Sequence, residues 1–518
     1  MAATVHAHES AARGYERRRP EQTLLYQTVA QHWQAFLEQA DTHGGLPKFV
    51  VREVEDYLDC GILTRGCVVL SCGACGLSRV VALSCKRRGF CPSCCGRRMN
   101  DVASHLVDAV LPKVAVRQWV CTLPWALRYR VGYDRELCAA VFDAFVQELQ
   151  RSYRRRAKRA LGLGSVRLAR TGTVTFIQRF DSALRLTPHA HTLVLDGVYV
   201  RGPDGRLRFH ALPTPTLAEV ADVTRRTAER IELLLRRGGL EFEAGDSAYD
   251  ELSDRQPVLA GCYRAATAGT QLLGPRPGQP VMRVLAGSPR TAASAAGKLV
   301  AEVRGVNIHA ERAVDGRDRA QLERLCRYLA RPPLSHDRLS LLPDGQVQLA
   351  LKSAWSDGTR AVVLSALDLL SRLCALVPPP GFHLTRYAGV LSSHASWRAE
   401  VVPKAAMDPA LGKPQLSLFD AAKQVPRDSQ GHKPAPAAQP EPRPTAGRKP
   451  WAWLLRRVFD ADLSVCPRCE CGSMRITAVA LTASAIERAL ARHGLAARPP
   501  PAGPTLEKLG QLALSFGP

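Results

Sequence analysis

The sequence predicts an α+β fold, in which a small cysteine-rich domain precedes a larger domain with a mostly antiparallel sheet flanked by helices. Half of the 16 cysteines crowd into residues 60–95, and from about residue 113 short apolar segments alternate with long Arg-rich stretches. A chain of 518 residues is too long for one hydrophobic core. We therefore expect four parts, at residues 20–112, 113–402, 403–450 and 451–518.

Two helices are predicted at the start of the first part. Apolar side chains from Leu24 to Leu37 recur at helical spacing, and Gly44 and Gly45 end that helix. A shorter helix with the sequence VVREVEDYL leads into the cysteines.

The second part contains five predicted strands and long predicted helices at 134–161 and 217–238. The strand sequences are RQWVCTL, GTVTFIQ, HTLVLDG, RGVNIHA and VQLALK. The segment VVLSALDLLSRLCALV is the nearest candidate for a membrane span, but it contains Asp368 and Arg372, so we expect a buried amphipathic helix. The composition of 403–450, rich in Pro, Ala and Lys, predicts a disordered linker.

Two CxxC pairs in the first part have the spacing of a zinc site. Cys72 and Cys75 are followed, after 15 residues, by Cys91 and Cys94, and two such turns can hold four thiolates around a tetrahedral Zn²⁺. Four further cysteines are surplus, and they are either buried thiols or replacements for one of these ligands. The surplus cysteines are Cys60, Cys67, Cys85 and Cys95.

A second cysteine group lies near the C-terminus. Cys466, Cys469 and Cys471 offer at most three thiolates, so a zinc site there needs a fourth ligand such as His493. A metal-free cysteine turn is the alternative.

The charge of the chain favours a polyanionic partner. Its formal net charge is +24 and its pI is about 9.8, which favours nucleic acid through contacts with phosphates. Basic side chains around the second CxxC pair are predicted to face phosphate, and they are Arg87, Arg88, Arg97 and Arg98. The first residues contain no apolar signal core, so we expect a cytoplasmic protein with reduced thiols and no membrane partner. No Walker-type phosphate loop is present, so no nucleotide cofactor is expected.

A pair of histidines opens one predicted strand. Residues i and i+2 of a strand point to the same face, so His189 and His191 present two imidazoles side by side. Neutral imidazole is a common metal ligand. The pair therefore predicts a metal site, for which Gln178 on the preceding strand is the candidate third ligand.

A tyrosine lies on a later basic helix with the sequence DRAQLERLCRYLARPP. Asp318 is near its start, two prolines stop it, and its leucines form a buried stripe. Tyr328 lies off that stripe, on the flank shared by Arg324 and Arg331. A phenol flanked by guanidinium groups can approach a phosphodiester, so these arginines are candidate DNA contacts.

The histidines and the tyrosine together predict metal-assisted phosphoryl transfer. A divalent cation, Mg²⁺ or Mn²⁺, held by the histidines would polarise a scissile phosphate, and Tyr328 would attack phosphorus to leave a 5′-phosphotyrosine and a free 3′-hydroxyl. Because the covalent intermediate retains the bond energy, rejoining needs no ATP.

Several segments of the chain resemble the rolling-circle transposases of the insertion-sequence-91 family, within the HUH (His-hydrophobic-His) nuclease superfamily. The segments are SCKRRGFCPSC, TLPWALRY, FIQRFDSALRLTPHAHTLVLDGVY, LCRYLARPPLS, RYAGVL and WLLRRVFDADLSVCPRC. The resemblance covers roughly residues 20–400 and 451–480. It implies metal-binding roles for His189 and His191, a nucleophilic role for Tyr328 and a zinc-binding role for the cysteines of 72–94. Its implied substrate is the single-stranded ends of a mobile element.

The chain departs from that family at two positions. Some members have two tyrosines four residues apart on this helix, whereas the earlier position here is Arg324, which indicates a single-tyrosine variant. Relatives often read RYHGV where this chain has Ala388, so activity would be impaired if that histidine matters.

Two other functions remain open at the level of sequence. A rolling-circle replication initiator, which is a relaxase-like nicking enzyme, would use the same nucleophile and metal. The zinc module and the C-terminal segment favour the transposase. A zinc-dependent DNA-binding regulator with no chemistry is the alternative from a different class.

The predicted linker contains a lone apolar island, Gln415-Leu416-Ser417-Leu418-Phe419. It resembles the short peptide with which bacterial polymerases dock on the sliding clamp, where Leu418 and Phe419 would fill a cleft and Gln415 would bind its rim. A chance apolar patch is the alternative.

Overall fold

The computed structural model describes residues 18–240, 250–273, 276–285, 299–403, 465–470 and 474–497. Among these residues the chain divides into two units. The small unit contains 18–21, 59–85, 465–470 and 474–497, and the large unit contains 22–58 and 86–403. The predicted part 20–112 therefore contributes to both units, and the described C-terminal residues belong with 59–85.

The helices and strands follow in chain order. The described helices are α1 (Leu24–Asp41), α2 (Lys48–Asp59), α3 (Pro92–Ala109), α4 (Trp125–Tyr133), α5 (Arg135–Leu161), α6 (Leu217–Arg237), α7 (Glu251–Arg255), α8 (Pro257–Ala268), α9 (Arg319–Leu329), α10 (Ala366–Leu376), α11 (Arg398–Val401) and α12 (Ala483–Ala491). The described strands are β1 (Cys67–Cys72), β2 (Ser78–Ala82), β3 (Val116–Thr122), β4 (Ala169–Arg170), β5 (Gly172–Phe180), β6 (Leu186–Leu195), β7 (Gly197–Arg201), β8 (Leu207–Ala211), β9 (Met282–Leu285), β10 (Val300–Val303), β11 (Val306–His309), β12 (Ala313–Val314), β13 (Leu339–Leu341), β14 (Val347–Ala350), β15 (Thr359–Leu364), β16 (Thr385–Gly389) and β17 (Met474–Ala480).

The large unit is built on an antiparallel sheet with the strand order β10-β11-β3-β6-β5-β16, in which β12 also pairs with β3. Four of the predicted strand segments form β3, β5, β6 and β11 of this main sheet. The fifth, VQLALK, forms β14 in a second antiparallel sheet with the order β13-β14-β15-β9. The α+β prediction with a mostly antiparallel sheet is confirmed.

Helices cover both faces of the main sheet. On one face, Trp119, Ile177 and Val194 belong to a core that also includes buried side chains of α4, α5 and α6. On the other face, Phe176 and Leu193 belong to a second core with side chains of α3 and α9. Because the central strands are buried on both sides, apolar side chains point to both faces, and polar residues of these strands such as Gln118 and Thr175 are buried as well.

A buried ion pair joins the central strand β3 to the residue that follows β6. The guanidinium of Arg117 donates to both carboxylate oxygens of Asp196 at 2.8–3.1 Å, and the hydroxyl of Tyr153 on α5 donates to the same carboxylate at 2.9 Å. Arg117 and Asp196 are 4% and 6% exposed. Every charge in this network has a partner, which a buried pair requires.

The predicted helix VVLSALDLLSRLCALV is partly a strand. Its first three residues end β15, and Ser365 then caps α10 by accepting a hydrogen bond from the backbone N–H of Asp368 at 3.1 Å. Asp368 and Arg372 are both buried, and Nε of Arg372 is 3.6 Å from Oδ2 of Asp368. Helix α10 is therefore a core helix of the large unit. In the part of the chain that is described, no helix is both long and apolar enough to cross a membrane.

The small unit joins the two ends of the chain in one antiparallel sheet with the order β17-β1-β2. Helix α12 follows β17, and its buried Ile486 and Leu490 pack with Leu63, Cys67 and Val80 of the N-terminal segment. The described part of the C-terminal module therefore shares a hydrophobic core with the N-terminal segment.

Candidate active site and metal centres

Strand β6 carries both predicted metal-binding histidines on the face of the main sheet that α3 and α9 cover. His189 lies opposite Gln178 of β5, and His191 lies opposite Val120 of β3. The two imidazole centroids are 5.0 Å apart. The alternation of a strand thus places the two rings side by side, as their i, i+2 spacing predicts.

One ring nitrogen of His189 is available as a metal ligand. Its Nδ1 lies 2.6 Å from the backbone carbonyl of Thr187. Because a carbonyl only accepts, Nδ1 carries the proton and Nε2 keeps its lone pair. Burial lowers the pKa of His189, which keeps the imidazole neutral.

His191 contacts Gln118, a residue that is not among those predicted from the sequence. Its Nδ1 lies 3.0 Å from the side-chain amide of Gln118 on β3. Its Nε2 is buried and has no hydrogen-bond partner among the described residues. Burial, then the neighbouring His189 and Arg331, lower the pKa of His191 to about 3, so the ring is neutral, as a metal-binding imidazole must be.

Helix α9 brings Tyr328 to the histidines. The side chain of Asp318 caps the helix by accepting from the backbone N–H of Gln321 at 2.9 Å, and a buried apolar stripe that includes Leu325 and Leu329 fixes its rotation. The Tyr328 side chain is 45% exposed, and its ring centroid is 6.3 Å from that of His191. The predicted nucleophile and the predicted metal ligands therefore meet at one place.

Gln178 links the histidines to the tyrosine helix. Its Nε2 donates a 2.7 Å hydrogen bond to the carbonyl of Leu329, the residue after Tyr328. Its Oε1 is buried and makes no hydrogen bond within the described chain. An amide oxygen can be a ligand for Mg²⁺ or Mn²⁺, so the residue fits the predicted third-ligand role while it also anchors α9.

A positive charge lies directly against the tyrosine. The guanidinium carbon of Arg331 is 4.4 Å from the Tyr328 ring centroid, and its Nε and Nη1 atoms are buried without a hydrogen-bond partner in the described residues. Burial, then Arg331 and Arg338, lower the pKa of Lys352 to about 8. Cations crowded together in this way favour an anion as partner. Lys352, which lies just after β14, is not among the site residues predicted from the sequence.

Two further positions discussed from the sequence lie on β16 and on α9. Ala388 on β16 pairs with Thr173 of β5 and packs against the core on the opposite face of the sheet from the histidines. A histidine at that position would not reach the same face as His189. Arg324 is exposed on α9, four residues before Tyr328.

The predicted phosphate-facing arginines of the large unit are partly engaged in the fold. Arg87 forms an ion pair with Asp56, and Arg88 donates to the carbonyl of Phe382 at 3.1 Å. Arg97 and Arg98 lie on α3, where Arg98 is exposed and donates to the carbonyl of Lys86 at 3.2 Å.

The cysteines group differently from the sequence prediction. Cys72 and Cys75 lie with Cys466 and Cys469 in the small unit, and the ligand atoms of these four lie within 4.8 Å of one another. The predicted set of Cys72, Cys75, Cys91 and Cys94 is therefore not the set that the structure brings together. The sequence could not reveal this grouping because strand pairing between β1 and β17 creates it.

The other cysteines and His493, the candidate fourth ligand, have different surroundings. Cys91 and Cys94 lie at the start of α3 in the large unit, where the backbone N–H of Lys86 donates to Sγ of Cys94 at 3.3 Å. In the small unit, the backbone N–H of Cys85 donates to Sγ of Cys60 at 3.4 Å. His493 is not among the possible metal ligands grouped with Cys466, and its two ring nitrogens contact the Ser78 hydroxyl and the Ala489 carbonyl instead. Cys471 lies outside the described residues, as do Gln415, Leu416, Leu418 and Phe419.

Two segments of the chain match known protein families. Residues 28–123 match the family described as "Transposase zinc-binding domain", and residues 172–398 match the family described as "Putative transposase". The second match contains both histidines and Tyr328. Neither the curated proteins nor the solved structures yielded a match.

The fold, the site and these matches define a transposase, which is a DNA-binding and DNA-processing protein with structural zinc. The order of a transposase zinc-binding domain followed by the transposase domain is that of the insertion-sequence-91 type. The chain is an insertion-sequence-91-type transposase.

Proposed function

We propose that this transposase nicks and rejoins single-stranded DNA by a rolling-circle mechanism, through a 5′-phosphotyrosine on Tyr328 and with a divalent cation held by His189 and His191. The observation that carries the proposal is the position of Tyr328, whose ring centroid is 6.3 Å from that of the neutral, buried His191. A solvent-reachable phenol beside a pair of metal-type imidazoles is an arrangement suited to phosphoryl transfer.

The chemistry of cleavage follows from the tyrosine. The phenol oxygen of Tyr328 attacks phosphorus and loses its proton, the bond between phosphorus and the 3′ oxygen breaks, and that oxygen takes up a proton. One product is the 5′-phosphotyrosine and the other is a free 3′-hydroxyl. Attack by a 3′-hydroxyl on the phosphotyrosine reverses the same steps and rejoins the strand.

Three side chains suit a divalent cation beside Tyr328. They are the imidazoles of His189 and His191 and the Oε1 oxygen of Gln178. Mg²⁺ or Mn²⁺ bound there would polarise the scissile phosphate and offset the charge that develops on it. Gln178 also holds the end of α9 through Leu329, so it fixes the distance between the tyrosine and the histidines.

The cations beside Tyr328 would hold the DNA backbone. Two donor atoms of Arg331 are buried without partners in the described structure, and a phosphate oxygen would satisfy them. Lys352, which Arg331 and Arg338 repel, would gain a counter-charge from the same phosphate or its neighbour. An unpaired strand suits such a site, because its phosphates can enter without a complementary strand.

The presence of Arg324 at the earlier helix position leaves one tyrosine on the exposed side of α9. We therefore propose that Tyr328 acts twice in succession or that two subunits each supply one tyrosine.

The test uses a single strand that carries an element end and a fluorophore at its 3′ end. The full-length protein with Mn²⁺ should yield a labelled protein band that resists denaturant. Tyr328→Phe should bind the strand, because the ring and its contact with Arg331 remain, but should give no adduct. Tyr387→Phe is the matched control: it removes the hydroxyl of another tyrosine of the large unit that is 36% exposed, and it should form the adduct normally.

Other outcomes would change the assignment. An adduct formed by Tyr328→Phe would refute the nucleophile, and undiminished cleavage in EDTA would refute the metal. Cleavage of a plasmid origin but not of element ends would favour a replication initiator. A wild-type protein that binds DNA and never forms an adduct would favour a regulator.

Further proposals concern features outside the active site. Cys91 and Cys94 are proposed as zinc ligands, since they lie within the residues that match the transposase zinc-binding domain. The protein is proposed to act in the cytoplasm. The segment Gln415–Phe419 is proposed as a docking peptide for the bacterial sliding clamp. A peptide of residues 413–421 should bind purified clamp, and the absence of binding at high micromolar concentration would reject this idea.

A further inference from the structure

The small unit contains four cysteines whose sulfur atoms are arranged for a tetrahedral metal. Sγ of Cys75 is 3.5 Å from Sγ of Cys466, and Sγ of Cys72 is 3.7 Å from Sγ of Cys469. With Zn–S bonds of about 2.3 Å, the sulfur atoms of a tetrahedral site lie about 3.8 Å apart. The described separations are therefore those of a ligand set around one ion.

The two CxxC turns have the same backbone design. The backbone N–H of Gly76 donates to the carbonyl of Cys72 at 3.1 Å, and the backbone N–H of Glu470 donates to the carbonyl of Cys466 at 2.9 Å. The residue after each second cysteine is left-handed, with φ of +71° at Gly76 and +52° at Glu470. A non-glycine residue in this conformation is unusual and marks a constrained turn.

Backbone donors also point to the sulfur atoms. The N–H groups of Arg468 and Cys469 donate to Sγ of Cys466, and the N–H group of Leu77 donates to Sγ of Cys75. Such bonds hold the sulfur atoms in place as acceptors, which suits metal-bound thiolates. Met474, Leu70 and Leu77 pack around the cluster and restrict the access of water.

We propose that Cys72, Cys75, Cys466 and Cys469 bind one structural Zn²⁺ that joins the two ends of the chain. Each CxxC turn supplies only two ligands, and Cys75 and Cys466 are 391 positions apart in the sequence. Neither half can complete the site alone, so zinc binding and the pairing of β17 with β1 stabilise each other. The family match to a zinc-binding domain ends at residue 123 and does not include the C-terminal pair.

Zinc counting on the full-length protein tests this composite site. We expect Cys72→Ser with Cys75→Ser to lose one equivalent of zinc, and Cys466→Ser with Cys469→Ser to lose one equivalent. The quadruple variant should lose the same single equivalent, because both pairs serve one ion. Losses that add to two equivalents, or no loss from the C-terminal pair, would overturn the proposal. Cys471→Ser is the matched control and should keep its zinc.

Alkylation of the wild-type protein gives a second test that does not depend on the folding of variants. Mass spectrometry should show Cys72, Cys75, Cys466 and Cys469 becoming reactive together as a chelator removes zinc. If the four cysteines react without chelator, the site holds no metal. If they react only after a reductant, they form disulfides instead. Either result would reject the composite site, and neither depends on DNA cleavage.

Discussion

Gln118 is predicted to control whether His191 can bind a metal. In the structure the amide nitrogen of Gln118 faces Nδ1 of His191 at 3.0 Å, which leaves the imidazole proton on Nε2. A half-turn of the amide presents its oxygen instead, so that Nδ1 carries the proton and the lone pair of Nε2 becomes available. Removal of the amide should therefore weaken metal binding without touching either histidine.

The size of the effect can be worked from the burial of this contact. Loss of a group that orients a metal-binding histidine reduces metal affinity by about 10- to 100-fold, or roughly 1.4 to 2.8 kcal/mol. Gln118 is 8% and His191 is 7% exposed, so water has little access to replace the amide. We expect Gln118→Leu to lie in the upper part of that range, at roughly 30- to 100-fold.

A titration of adduct formation with Mn²⁺ measures this change. The midpoint for Gln118→Leu should move to a higher Mn²⁺ concentration, and saturating Mn²⁺ should restore most of the rate. Gln118→Glu is the matched variant, because its carboxylate can only accept and so keeps the proton on Nδ1. An unchanged midpoint in Gln118→Leu, with an unchanged melting temperature, would show that Gln118 does not position His191.

Two further predictions concern charge. Affinity for a single strand should fall as the pH rises from 7 to 9, since Lys352, with a pKa of about 8, loses its positive charge over that range. Lys352→Arg should keep its affinity at pH 9, and an identical pH slope in Lys352→Gln would contradict a role for this ammonium. Asp196→Asn should destabilise the large unit by about 3–5 kcal/mol in urea unfolding, because it leaves the buried charge of Arg117 without its partner. The exposed pair of Asp204 with Arg208 is the comparison, and Asp204→Asn should cost far less stability than Asp196→Asn; equal losses would refute the argument.

Elements with a strong local pattern could be predicted from the sequence. The strand that carries His189 and the helix that carries Tyr328 are both recognisable because their periodicity, cap and stop signals lie within a few residues. Gln118 could not be assigned in the same way. It lies 73 positions from His191, and only the pairing of β3 with β6 brings the two side chains together. A polar residue within the buried strand RQWVCTL was the one available signal.

The cysteines show why CxxC spacing alone predicts two ligands of a metal site but not which other cysteine pair completes it. Each of the three CxxC pairs is a local turn that can supply two thiolates, so the three pairs can be combined in three ways. Proximity in sequence favours joining Cys72 and Cys75 to the next pair along the chain. The structure joins them to Cys466 and Cys469 instead, because β1 pairs with β17 and places Cys72 opposite Met474, a few residues beyond the C-terminal turn. A metal site assembled across a sheet is set by strand register, which no local pattern contains, so the pairing of CxxC turns follows from the topology and not from their spacing.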